Sequence, residues 1–172
     1  MIKKIKFINL FTLVFLLLFI EGLYCTANCS IVDSVKNNDK RSLKTYLKNG
    51  VSPNTKDRSG NSILLAAINA KHEDIAEILI KAGANVNVSY NLSMNALMLA
   101  ISENMEDVAA LIIEHGVDIN FKLPNGTTAL MMASEKGMLN IVKKMVKRKA
   151  DIRAKNIDGM NASSFAMKNG HG

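Results

Sequence analysis

Apolar and polar positions along this chain recur with a long, fixed period. Leu64, Leu97 and Leu130 are spaced by 33 residues, and Ala67, Ala100, Ala133 and Ala166 keep the same step. So do Gly60, Ser93, Gly126 and Gly159. In the other half of the unit Gly50, Gly83 and Gly116 repeat, each followed four residues later by Asn54, Asn87 or Asn120. One period shared by several kinds of position marks a stack of small units, none of which can bury its own apolar faces alone.

Each column has a physical task. Ser62, Asn95, Thr128 and Asn161 fall in one column, and each side chain can accept a backbone N–H at a helix start. A short apolar helix is expected after each of the first three, over 64–70, 97–103 and 130–136. The alanine column lets neighbouring helices approach closely. Lys71, Asn104, Gly137 and Gly170 mark the turn into a second helix, whose apolar residues come at helical spacing: Ile75, Ile78, Leu79 and Ala82, then Val108, Leu111, Ile112 and His115. Gly50, Gly83 and Gly116 end that helix, where a left-handed residue suits a C-terminus. The remainder reads as an extended hairpin connection.

A helix–turn–helix–hairpin unit of this length resembles the ankyrin repeat. The best matching stretches are DRSGNSILLAAINAKHEDIAEILIKAGANVN, residues 57–87, and PNGTTALMMASEKGMLNIVKKMVKRKADI, residues 124–152. The resemblance extends from residue 30 to the C-terminus and implies an all-α solenoid of stacked helix–turn–helix units joined by hairpin loops. The chain then divides into a divergent first unit (30–54, with its second helix over 42–49), repeats at 58–87, 91–120 and 124–153, and a C-terminal half-repeat at 157–172. The departure lies in the tetrapeptide the family usually writes Thr-Pro-Leu-His. Here it reads Ser62-Ile63-Leu64-Leu65, Asn95-Ala96-Leu97-Met98, Thr128-Ala129-Leu130-Met131 and Asn161-Ala162-Ser163-Ser164. The capping residue is kept in kind, while Pro and His are lost. A somewhat looser stack is expected, because that His links neighbouring hairpins in the family. Lys149 also replaces the glycine of the helix-end column, at about 1 kcal/mol if the left-handed conformation persists. The C-terminal edge is therefore expected to be the softest part.

The first residues follow a different pattern. Lys3, Lys4 and Lys6 precede an uncharged run from Phe7 to Ile20, and Cys25-Thr26-Ala27 supplies small residues for cleavage after Ala27. This is the layout of a secretory signal peptide over 1–27, with the repeat domain over 28–172. The apolar run is 14 residues, short of the roughly 20 that a spanning helix needs, so an uncleaved membrane anchor is the weaker reading. Export into a secreted or periplasmic location follows. Cys25 and Cys29 are the only thiols, too few for a disulfide framework.

Composition and charge sharpen the picture at one place. The chain is 48% hydrophobic with no Trp, which suits thin helical layers closed by aliphatic side chains. The net charge of +7 is concentrated, with eight basic and two acidic residues between 135 and 155. Lys143, Lys144, Lys147, Arg148, Lys149, Arg153 and Lys155 form the one feature the repeat does not demand. A solvated helix face accounts for it most simply; the functional alternative is an acidic protein surface or an anionic membrane. Nucleic acid fits poorly, because stacking aromatics are absent there.

No catalytic, cofactor or metal constellation emerges. His72, His115 and His171 sit in helix-turn and helix-end columns, and the recurrent glycines are turn and cap glycines. Glu73, Asp74, Glu103, Glu106 and Asp107 lie near the starts of second helices, where they complement the helix dipole. What the resemblance implies is a non-catalytic, monomeric module that binds a protein partner through hairpin tips and the concave first-helix face. On this chain the tip positions are Arg58, Ser59, Asn91, Leu92, Pro124 and Asn125. The first-helix positions are Asn69, Ala70, Ser102, Glu103, Glu135 and Lys136. The alternatives are a membrane-surface or membrane-anchored protein using the basic C-terminal repeat, and a decayed or truncated repeat protein without a partner.

Overall fold

The computed structural model describes residues 31–90 and 94–171. The signal-peptide segment, Cys25, Cys29 and the tip positions Asn91 and Leu92 lie outside the described residues. Helices alternate along the chain in pairs: α1 (31–36) with α2 (Lys40–Lys48), α3 (Ile63–Asn69) with α4 (Glu73–Lys81), α5 (Ala96–Ser102) with α6 (Glu106–Glu114), and α7 (Ala129–Glu135) with α8 (Leu139–Lys147). A single helix, α9 (Ala162–Lys168), follows. Strands β1 (Ser89–Tyr90) and β2 (Met94–Asn95) pair antiparallel between the second and third units, with Ser89 opposite Asn95 and Tyr90 opposite Met94. Isolated bridges at the same places in the period, Lys56 with Ser62 and Lys122 with Thr128, close the connections before α3 and α7.

Two layers result. The first helices α3, α5, α7 and α9 pack in series, the second helices α2, α4, α6 and α8 pack in a parallel series, and α3 packs on α4, α5 on α6 and α7 on α8. The core lies between the layers. Ile63, Leu64, Leu65, Ile75 and Leu79 fill it in one unit, and Leu97, Met98, Ile101 and Ile112 in the next. Ala67, Ala100 and Ala133 are fully buried where first helices meet, and nothing larger fits that separation without displacing a neighbour. The residues in the lost histidine column, Leu65, Met98 and Met131, are buried core.

The expected caps are in place. Ser62 accepts from the Leu64 amide, Asn95 from Met98, Thr128 from Met131 and Asn161 from Ser164. Each first helix begins one residue earlier than the apolar pattern suggested, because the residue after the cap is already helical. In the first unit α2 also starts early, at Lys40 rather than 42. The Asp39 carboxylate takes the amides of Arg41 and Ser42, which makes Asp39 the cap. A hydrogen bond from the Ser42 hydroxyl, then one from its amide, holds the Asp39 carboxyl below the usual carboxylate range. The turn column is left-handed throughout, with φ of +55° at Asn38, +57° at Lys71, +61° at Asn104 and +68° at Gly137. Lys149 keeps the left-handed conformation of its column, φ +63°.

Candidate interaction surface

The surface is best built from the residues that hold the stack, since what they leave free is what can recognise something else. The asparagine column ties each unit to the next through loop backbone. Asn54 Oδ1 accepts from the Asn85 amide at 2.7 Å, Asn87 Oδ1 from Asp118 at 2.8 Å, and Asn120 Oδ1 from Asp151 at 2.8 Å. Asn87 Nδ2 also donates to the Gly116 carbonyl at 3.3 Å. Asn95 adds a link, donating from Nδ2 to the Asp118 carbonyl at 3.1 Å.

Charged side chains make further ties between units. Lys40 on α2 pairs with Asp74 on α4, and Lys71 with Glu103 at 3.1 Å. Lys136 Nζ donates to the Ser102 carbonyl at 3.0 Å and to Asn104 Oδ1 at 2.8 Å. Lys144 meets Glu114 at 2.5 Å, while Arg148 donates to the Glu114 carbonyl at 3.2 Å. The Lys144 hydrogen bond, then its charge, lowers the Glu114 carboxyl below its ordinary value. These groups are largely exposed, so each pair contributes little on its own. His115 Nδ1 donates to the Leu111 carbonyl one turn back, whereas His72 Nδ1 ties the second unit to the first by donating to the Val35 carbonyl, each at 2.9 Å. Among the described residues no group of three or more His, Cys, Asp or Glu is placed to hold a metal ion.

Against this framework the sequence-predicted positions separate. Arg58 and Ser59 are exposed in the turn between Lys56 and Ser62, and Pro124 and Asn125 are exposed in the corresponding turn before Thr128. Asn69, Ala70 and Glu135 are exposed at the ends of α3 and α7, whereas Ser102 and Glu103 are half-buried. Glu103 and Lys136 are occupied by the ties just described. Sequence reasoning missed Ile157, the next member of the tip column. It is 77% exposed, and its amide donates to the Asn125 carbonyl at 2.9 Å, coupling adjacent tips. The 33-residue step from Pro124 would have found it. The basic cluster also divides. Lys144 and Arg148 are turned back on Glu114, while Lys143, Lys147, Lys149, Arg153 and Lys155 are exposed.

A cleft of about 350 Å³ between α4 and α6 is lined by Glu73, Asp74, Glu77, Asp107, Leu111 and Glu114 among others. Asp74 and Glu114 there already have lysine partners. Glu73, Asp74 and Asp107 sit in first turns, where the helix dipole favours them. The cleft offers no nucleophile with a base.

Two helical layers, capped unit by unit and cross-linked through loop asparagines, define a helical-repeat scaffold whose exposed turns are its variable part. The ankyrin-repeat family profile matches residues 31–123 as three copies and residues 125–157 as a further one. The chain therefore belongs to the ankyrin-repeat family. Ankyrin repeats indicate a protein–protein interaction module, and the family is typically a non-catalytic scaffold. A search of curated proteins returned no match to this chain.

Proposed function

We propose that this chain is an exported, non-catalytic scaffold that captures a folded protein along its hairpin tips and the exposed ends of its first helices. One observation carries the reading: the scaffold fixes its caps, core, alanines and asparagine ties at a constant period but leaves the tip column free. That column is Arg58, Pro124 and Ile157 in three successive described tips, all exposed. Chemically unlike side chains at equivalent, solvated, well-supported positions are what a recognition surface requires. The partner side therefore comprises Arg58, Ser59, Pro124, Asn125 and Ile157 with Asn69 and Glu135, and Asn91 and Leu92 complete the tip series in sequence. Export rests on the basic, apolar and small-residue succession of residues 1–27, with a secreted or periplasmic destination.

The test compares affinity capture by residues 28–172 with capture by a variant carrying Arg58→Glu, Ser59→Lys, Asn125→Lys and Ile157→Asp. The variant should keep its circular-dichroism spectrum and lose the captured protein. Capture that survives all four changes removes the tips from the binding surface. N-terminal sequencing of the exported product should begin at Asn28; a product retaining Met1 removes the cleavage.

A further inference from the structure

We propose that the outer ridge of α8 is a membrane-docking face, which holds the chain against an anionic lipid surface through Lys143 and Lys147 while Leu139 enters the headgroup layer. The face shares no residue with the tips, and its binding does not depend on theirs.

The period places this ridge on the outside. Leu139, Lys143 and Lys147 follow at four-residue steps and share one side of α8. The same columns read Glu73, Glu77 and Lys81 on α4, and Glu106, Ala110 and Glu114 on α6. Helices α4 and α6 each have second helices packed on both sides, yet these residues are exposed, with Ala110 half-buried. The α8 ridge therefore faces solvent by its column, whatever packs beside α8. Its chemistry is what differs. The α4 and α6 ridges carry four carboxylates and one lysine, whereas the α8 ridge carries two lysines and a leucine, and α8 has no carboxylate. Leu139 stands where an acidic first-turn residue would complement the helix dipole, and it is 60% exposed. That exchange gives up a favourable charge and leaves a leucine in water, so folding does not account for it. Lys143 and Lys147 make no ion pair among the described residues, whereas Lys144 is turned to Glu114.

Charge and shape together select the occupant. Lys149 continues the positive charge past the end of α8, and the first carboxylate beyond it, Asp151, accepts the Arg153 amide. The ridge is the crest of a single helix, so its side chains project and enclose nothing. A protein partner would have to supply a hollow for Leu139 and a fixed carboxylate for each lysine. A bilayer surface offers anionic headgroups at any spacing and admits an isolated apolar side chain wherever it arrives. Long lysine stems also reach headgroups from a helix that lies against the surface. The acidic ridges of α4 and α6 are repelled by such a surface, which confines the contact to α8. Helix α2 supplies an internal comparison. Its ridge of Lys40, Lys44 and Lys48 is equally basic, but it has no apolar residue and Lys40 is paired with Asp74.

Co-sedimentation with lipid vesicles tests the face. The protein used is residues 28–172, which hold the whole buried core of the described residues, Ile31 to Ala154, without the apolar run from Phe7 to Ile20 that would enter a bilayer by itself. Vesicles of equal parts phosphatidylglycerol and phosphatidylcholine should bind it, phosphatidylcholine alone should not, and binding should fall steeply as salt is raised. Lys143→Glu with Lys147→Glu should weaken binding at least tenfold. Lys44→Glu with Lys48→Glu, the same change of net charge on α2, should weaken it less than threefold. Leu139→Glu, which installs the residue that this column has on α4 and α6, should weaken it at least fivefold. All these positions are exposed, so the circular-dichroism melts should match that of the parent. The four-residue tip variant should bind the vesicles within about twofold of the parent, which keeps failure of this face separate from failure of the tip surface. Equal binding to neutral and anionic vesicles, equal losses from the α2 and α8 reversals, or indifference to Leu139→Glu overturns the proposal. Binding of a glutamate-rich peptide through Lys143 and Lys147, with no vesicle binding, also overturns it and assigns the ridge to an acidic protein.

Discussion

Replacing Lys149 with glycine should stabilise the stack, although the lysine is exposed and touches no apolar core. Its φ is +63°, in the column where Gly50, Gly83 and Gly116 adopt +84°, +88° and +82°. A side chain in the left-handed region costs about 1–2 kcal/mol. Glycine offsets part of that gain by widening the unfolded ensemble, by about 0.4–1 kcal/mol. The net expected stabilisation is about 0.5–1 kcal/mol by those two terms. Space is not at issue, because a Cβ built at Gly116 meets nothing within 4 Å. Conformation alone should decide the sign, so Gly116→Ala should lose a comparable amount. For a chain of this size about 1 kcal/mol corresponds to about 2–4 °C in Tm. Lys149→Ala serves as the control, since it removes the charge but retains the Cβ and its strained φ. Thermal melts followed by circular dichroism should place Lys149→Gly above both the parent and Lys149→Ala, with Gly116→Ala below the parent. Coincident melts for Lys149→Gly and Lys149→Ala, with Gly116→Ala unchanged, would refute the backbone argument.

Three further outcomes follow from the packing and the ties. Ala133→Leu should cost about 1–3 kcal/mol in urea unfolding, because Ala133 is fully buried in the first-helix layer and has no room to expand. Asn95→Ala should cost about 1–2 kcal/mol, since one buried side chain both caps α5 and donates to the Asp118 carbonyl, and Asn95→Asp should not restore it, because a buried carboxylate oxygen would then face that carbonyl. Glu114, whose folded pKa is depressed by Lys144, contributes stability that is present above the unfolded carboxylate pKa and is lost as pH falls through the folded value. Lys144→Met should therefore raise the NMR titration midpoint of Glu114 toward the ordinary range, and an unmoved midpoint would disprove the attribution.

The repeat was legible because its signals are local. A cap acts within three residues of itself, and an alanine at a helix crossing needs no knowledge of its neighbour's identity. Even the left-handed conformation at Lys149 could be anticipated from its column. The first unit was read less well. Asn38 takes the left-handed turn that Lys71 and Asn104 take, in a column that becomes glycine only at Gly137 and Gly170, and the Asp39 cap starts α2 at Lys40, two residues before the expected start at 42. The ties between units were not legible at all. Asn87 to Asp118, Lys40 to Asp74 and Arg148 to Glu114 join residues 31 to 34 apart. Their meeting depends on how far one unit is offset over the next, which periodicity alone does not give.

That offset also accounts for how the chain manages without the histidine of the usual tetrapeptide. At its column Leu65, Met98 and Met131 are buried, so the position serves the core. The cross-linking falls instead to Asn54, Asn87 and Asn120, which bind loop backbone in the following unit. These ties use backbone groups, so they hold whatever side chains the tips carry, and a tip can vary without loosening the stack. The same logic divides the basic cluster. Lys144 and Arg148 act backward on Glu114 and belong to the scaffold, so changing them should alter stability and the titration of Glu114. Lys143 and Lys147 are exposed and make no ion pair among the described residues, so reversing them should leave the melt alone. A single run of positive charge in the sequence thus contains two groups of residues with separable effects.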